Sequence, residues 1–188
     1  MIKIGITGSI SSGKTTVVKI ISHKRGPVFS ADKCVKKLYG DKKTKAIIAK
    51  KLSIKSYSNF KSEIKNKILS KKNVLRKLEI ILHPLVRRKM YSFLKKNKSS
   101  KFIFFEIPLL IESNLMNIFD KIIFVKSQQR LRLKRYKKNG GDPRLFQALD
   151  SHQLKDYQKI KYCDDVVVNN KSLSVLKKKV LHIIKYYE

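Results

Sequence analysis

The chain has 188 residues, and its 45 Lys and Arg against 13 Asp and Glu give a formal net charge of +32. At 42% hydrophobic residues it is too apolar for a disordered tail and long enough to bury one sizeable core. No apolar run approaches the roughly 18–20 residues of a membrane span, and two distant cysteines, Cys34 and Cys163, exclude a disulfide scaffold and a cysteine metal site.

The first predicted element is a strand, Ile2–Thr7. It runs directly into Gly8-Ser9-Ile10-Ser11-Ser12-Gly13-Lys14-Thr15, which fits G-x-x-x-x-G-K-[ST]. Glycines let successive backbone N–H groups turn inward toward phosphate oxygens. The helix predicted over Lys14–Lys24 presents its positive N-terminal end to the same anion. Lys14 is placed to reach the β- and γ-phosphates, and the Thr15 hydroxyl to ligate Mg²⁺. The motif implies a nucleoside triphosphate and leaves the fate of its phosphate open.

Further strands are predicted at Pro27–Ser30, Lys101–Ile107, Lys121–Val125 and Asp165–Val168. Helices are predicted at Ala31–Tyr39, Leu75–Leu82, Leu85–Asn97, Gln128–Lys138, Asp142–Gln153 and Leu173–Tyr187. Short buried strands alternating with helices indicate an α/β fold on a parallel sheet, one domain over 1–188. Two stretches interrupt the alternation. About 41–97 holds only helical spacing, as in Ile64, Ile68 and Leu69, and reads as a helical insertion. About 130–161 is a basic helical pair around Asn139-Gly140-Gly141-Asp142-Pro143, with Asp142 as a cap and Pro143 in the first turn. Such a pair is either a solvated charged hairpin or a lid over phosphates. Both cysteines fall in apolar contexts and read as buried structural thiols.

The lysines are spread along the chain instead of gathering in one arm. The bias toward Lys, Ile, Asn and Ser, without Trp, is what an A+T-rich coding sequence produces. Neither an RNP box nor an Asn-Lys-x-Asp guanine motif occurs. No specific nucleic-acid partner and no membrane partner are expected, and salt-sensitive RNA contact is a by-product of charge. The first strand leads straight into the phosphate loop, so Met1–Thr7 does not read as a signal peptide and a cytoplasmic location is expected.

Acids at strand ends stand out in a chain this basic. Asp32 follows the strand Pro27–Ser30, at the carboxyl edge where ligands bind in parallel folds. It is either the cap of the next helix or the group that orients an acceptor hydroxyl and takes its proton. Glu106 ends Lys101-Phe-Ile-Phe-Phe105, the position of a Mg²⁺ partner; Glu112 is a weaker candidate. His83-Pro84 separates two helical patterns, with Pro84 opening the second and His83 capping it or facing a ligand.

With these residues in place, the chain resembles the dephospho-CoA kinase family over nearly its whole length. The likeness rests on Ile6–Thr16, Ser30-Ala31-Asp32, Leu78–Arg87 around His83-Pro84, and Glu106-Ile107-Pro108-Leu109-Leu110-Ile111-Glu112. Gln153, Lys159 and Asp164–Asn170 complete it. The resemblance implies a P-loop kinase core similar to adenylate kinase, a helical acceptor-binding insertion and a short helical lid. It implies ATP-dependent phosphorylation of the ribose 3′-hydroxyl of dephospho-coenzyme A, with Mg²⁺ held at Thr15 and Glu106, by a monomer or small homo-oligomer. A kinase of the same architecture with another small metabolite or nucleotide as acceptor is the alternative.

The resemblance carries Asp32 over as catalytic base, beside Lys14. Gly8, Ser11, Ser12, Gly13, Lys14, Thr15 and Thr16 match the ATP-contacting loop, and Asn169 falls near the adenine. Asp32, His83, Arg87, Pro108 and Leu109 fall on the acceptor side. The lid register is open between Arg132, Lys134, Arg135 and Lys138, with Arg135 favoured because a guanidinium holds phosphate bidentately. Ser9 and Ser11 replace two glycines of the family loop. If either position needs a positive φ, serine there costs about 1 kcal/mol or more.

Overall fold

The computed structural model describes residues 1–71 and 73–188, so residue 72 of the stretch 41–97 lies outside the described residues. Five strands form one parallel sheet: β1 (Ile2–Thr7), β2 (Val28–Ser30), β3 (Phe102–Glu106), β4 (Lys121–Lys126) and β5 (Asp165–Val168). Their order is β2-β3-β1-β4-β5. The chain leaves central β1 toward one edge and returns to the other, and this reversal opens a crevice at the carboxyl ends of β1 and β3. Register brings Ile6 of β1 and Ser30 of β2 beside Glu106 of β3.

Helices cover both faces, which is why β3 reads Phe-Ile-Phe-Phe-Glu without alternation and is buried throughout. Ile4, Ile6, Phe102 and Phe104 pack under α1 (Lys14–Ser22) and α9 (Leu173–Lys185) through Val17, Ile21, Val180 and Ile184. Ile103, Phe105 and Ile122 face the other way, against Met90 and Leu110.

After α2 (Ala31–Leu38), the helices α3 (Lys42–Leu52), α4 (Phe60–Ser70) and α5 (Val74–Lys96) build a separate apolar cluster around Ile48, Leu52, Phe60, Ile64, Leu78 and Leu82. Helix α5, 23 residues and about 34 Å long, joins that cluster to the sheet. Its i+4 row Val74–Leu78–Leu82–Val86–Met90 is packed in the helical cluster at one end and against the sheet at the other.

The expected break at His83-Pro84 does not occur. Pro84 lies inside the single helix α5 and His83 caps nothing. The carbonyl that Pro84 leaves without a donor belongs to Ile80, a residue 63% exposed, so water can serve it. The cysteines are also corrected: both are half-buried rather than buried. Burial still raises both thiols, Cys163 to about 12, which keeps them unreactive.

The remaining helices, α6 (Gln129–Lys138), α7 (Pro143–His152) and the short α8 (Asp156–Ile160), follow β4. Asp142 caps α7 by accepting from the Arg144 N–H at 2.8 Å, with Pro143 in the first turn as the sequence implies. Among the described residues no helix is long and apolar enough to cross a membrane.

Burial separates two substitutions sharply. Phe104→Ala, at a fully buried site, is expected to cost about 3–5 kcal/mol of unfolding free energy. Ile80→Ala, on the exposed face of α5, is expected to change it by less than about 0.5 kcal/mol. Urea denaturation measures both, and equal losses would contradict this core.

Candidate active site

The loop Gly8–Gly13 leaves the carboxyl end of β1 and opens α1. Gly8, Ser11 and Gly13 have φ of 143°, 55° and 100°. Gly13 is required twice over: a Cβ there would sit 2.2 Å from Asn169 Nδ2, and its φ is one that side chains rarely tolerate. Ser11 bears the left-handed strain anticipated from the sequence; Ser9 does not. The N–H groups of Ser11, Gly13, Lys14 and Thr15 meet no acceptor among the described residues, leaving four donors at a helix N-terminus for an anion. The Thr16 N–H is taken by the Gly13 carbonyl at 3.0 Å.

Lys14 is buried and donates to the Gly8 and Ser9 carbonyls, each at 2.9 Å. Burial lowers its pKa from the ordinary 10.5 to about 8, against the raising pull of Asp32 and Glu106. The Thr15 hydroxyl donates to Glu106 Oε1 at 2.5 Å. One hydroxyl and one carboxylate suit Mg²⁺, which keeps several waters and takes its other ligands from phosphate oxygens. No group of three or more His, Cys, Asp or Glu among the described residues forms a protein cage.

The cap of α2 is supplied by a neighbour of Asp32. Ser30 caps α2, accepting from the Lys33 N–H at 3.4 Å, so the Asp32 carboxylate stays free in the first turn. Water reaches Asp32, yet it lies inside a concave cleft. Desolvation there raises its pKa, Lys14 opposes that, and Glu106 adds to it.

One cleft of about 790 Å³ is lined by Ser11, Gly13, Lys14, Thr15, Thr16, Asp32, Glu106, Pro108, Leu109, His83, Arg87 and Arg135. Helix α5 supplies His83 and Arg87 from the row Glu79–His83–Arg87, beside its packed row. Burial pushes His83 below its ordinary 6.5, more than Glu79 restores, so the imidazole is neutral at pH 7. Arg87 donates to the Ser113 carbonyl. Beyond Asp32 the cleft continues between Val35, Tyr39, Ile68, Leu75, Leu78 and Leu82.

Gly8, Ser12 and Asn169 do not line this cleft. Asn169 is buried behind the loop, with its Nδ2 on the Ser12 carbonyl at 2.8 Å, and Ser12 is fully buried. The four basic lid candidates separate. Arg132 is buried, ion-paired with Asp150 and stacked 5.7 Å over Phe146. Lys134 is exposed. Arg135 and Lys138 line the cleft, and Arg135 donates to the Ser12 and Asn169 carbonyls at 3.3 and 2.9 Å. Helix α7 reaches across to the helical cluster through His152–Glu79 at 2.8 Å and Lys65–Asp142 at 3.1 Å. Tyr136 also lines the cleft, though sequence reasoning gave it no role; its evenly basic helix carries no pattern that selects it.

A parallel sheet with a phosphate loop on β1, a carboxylate closing β3 and helices over the mouth defines a P-loop kinase. Solved folds agree. The crystal structure of TT1252 from Thermus thermophilus has a TM-score of 0.78 at 24% identity, covering 100% of this chain and 98% of that one. Deoxyadenosine kinase from M. mycoides has a TM-score of 0.57 at 17% identity, covering 98% and 100%. The model of the family Dephospho-CoA kinase matches residues 2–174. Proteins with that name are 32% identical in Rickettsia typhi, over 100% of this chain and 98% of the relative, and 35% identical in Fusobacterium nucleatum, over 94% of each. The chain belongs to the dephospho-CoA kinase family.

Two outcomes follow from the loop. Gly13→Ala is expected to weaken ATP binding about tenfold or more, because the new Cβ displaces Asn169 and strains φ; titration calorimetry reads it. A polyphosphate stabilises protonated Lys14, so its pKa rises on binding. Affinity for ATP should therefore be flat below about pH 8 and fall above it by up to about tenfold per pH unit, with proton uptake. A flat profile to pH 9.5 would contradict the depressed lysine.

Proposed function

We infer that the chain transfers the γ-phosphoryl group of ATP to the ribose 3′-hydroxyl of dephospho-coenzyme A, giving coenzyme A. The observation that carries this reading is a single cleft holding the phosphate loop, the Thr15–Glu106 pair and a free Asp32, in a chain matched to the family over residues 2–174. The fold alone is compatible with other acceptors, such as the nucleoside of deoxyadenosine kinase; the family match favours dephospho-coenzyme A.

The residues divide the work. The open N–H groups of Ser11, Gly13, Lys14 and Thr15 hold the β- and γ-phosphates, and Lys14 adds a formal charge where negative charge accumulates. Thr15 and Glu106 would hold Mg²⁺, which when bound neutralises phosphate charge. Asp32 orients the 3′-hydroxyl for in-line attack and accepts its proton; its raised pKa makes it a better base than an ordinary carboxylate. Neutral His83 and cationic Arg87, with Pro108 and Leu109, seat the acceptor from the α5 side. The apolar trough past Asp32 suits the acceptor's pantetheine arm. Arg135 and Lys138 close the cleft from the lid and exclude water, which would otherwise compete for the phosphoryl group.

Incubation with Mg-ATP and dephospho-coenzyme A is expected to give coenzyme A by mass spectrometry; turnover of a nucleoside instead would overturn the assignment. Asp32→Asn should retain ATP binding and lose about 10²–10⁴ in kcat. Unchanged kcat would leave Asp32 without the role of base. In the unaltered protein kcat should fall on the acid side as pH drops through a pKa above the ordinary 3.8 of aspartate.

A further inference from the structure

The segment that follows the lid grips the phosphate loop through Gln153, on the cleft wall, and Asp156, outside it. Gln153 Oε1 accepts from the Ile10 N–H at 3.0 Å. Asp156, at the start of α8, accepts from the Ser9 hydroxyl at 2.5 Å. Both bonds span more than 140 residues of sequence and fix the half of the loop that precedes its phosphate-facing donors. With Ile10 N–H held outward, the donors left to the ligand begin at Ser11.

That grip has a buried anchor. Lys159, also in α8, is fully buried, and its Nζ lies 2.7 Å from Glu112 Oε1. Glu112 stands on the loop after β3 and also accepts from the Leu154 N–H at 3.2 Å. The contact is an ion pair without well-aligned hydrogen bonding: Glu112 Oε2 and Lys159 Nζ both lack a hydrogen-bond partner among the described residues. A dry, incompletely satisfied pair is a poor source of stability. Its place explains it better, because it ties both ends of the segment carrying Gln153 and Asp156 to the core.

We propose that Gln153, Asp156, Lys159 and Glu112 form a clamp that positions the phosphate loop for ATP. They are positioning residues: Gln153 lines the cleft but its Oε1 is committed to the Ile10 N–H, and the other three stand outside the lining. The proposal rests on ATP occupying the Gly8–Thr15 loop. It also gives Ser9 a purpose, because glycine at that position has no hydroxyl for Asp156 to hold.

ATP binding by calorimetry and steady-state kinetics of the full chain test the clamp. Ser9→Ala and Asp156→Ala should each raise Kd and KM for ATP about five- to tenfold, the scale of one ordinary hydrogen bond. KM for dephospho-coenzyme A and kcat should stay within about twofold. The double variant should be no worse than either single, and Asp156→Asn, which keeps the acceptor oxygen, should recover near-native ATP affinity. Glu112→Gln should raise KM for ATP in the same way, measured well below its melting temperature. If that variant does not fold, the Lys159→Met/Glu112→Leu pair replaces it with the same expectation. Native ATP affinity in every variant, or singles whose effects multiply, overturns the clamp. Failure of the unaltered protein to bind ATP overturns the proposed function instead.

Discussion

The cleft depends on where the phosphate loop sends its carbonyls. A turn that points several N–H groups inward must point C=O groups outward, and an unpaired buried carbonyl costs on the order of 1–3 kcal/mol. Four of the loop's carbonyls have side-chain partners. Lys14 serves Gly8 and Ser9. Arg132 reaches the Ile10 carbonyl at 3.4 Å. Asn169 and Arg135 converge on Ser12. Donors therefore come from α6 and from the segment after β5 as well as from α1. The loop cannot change shape without moving α6, and this constraint accounts for basic residues behind the loop.

The net charge of +32 contributes less to this site than its size suggests. Exposed charges are screened over about 8 Å at physiological ionic strength, and the lysines are scattered over the surface of most helices. Burial decides the local balance. It drives Lys14 down to about 8 and Asp32 upward while Lys14, Asp32 and Glu106 pull on one another. The basic surface can hasten the arrival of polyanions by steering. In the proposed ATP complex the grip on phosphate would come from four open amides and one desolvated ammonium.

All five strands were legible because each is a short, mostly apolar run between turn or helix signals; predicted and observed bounds differ by a residue or so. Their spatial order was not, since parallel pairing leaves no local signal. Helices α3 and α4 escaped delimitation because their spacing mixes lysines into every turn. The His83-Pro84 break was misjudged for a physical reason: proline costs one hydrogen bond in a helix, but at an exposed carbonyl water replaces it and packing on either side carries the helix through. At Asp32 the sequence posed a real alternative, and the structure answers its local half: the Ser30 hydroxyl two residues earlier caps α2. The lid register was unreadable because Arg132 and Arg135 sit within one turn of each other, and only tertiary contacts separate Asp150 from the phosphate loop as their destinations.

The two serines that replace glycines in the loop act in opposite directions. Ser11 adopts φ 55°, a conformation that costs a side-chain-bearing residue about 1 kcal/mol relative to glycine. Ser9 needs no unusual φ, is 4% exposed, and gives Asp156 a hydrogen bond that glycine cannot. A bond to a charged partner is worth about 1.5–3 kcal/mol, and serine also restricts the unfolded chain more than glycine does. The gain at Ser9 matches or exceeds the strain at Ser11. A loop with serines at 9 and 11 is therefore not a weakened one here: the hydrogen bond to α8 offsets the strain within the turn.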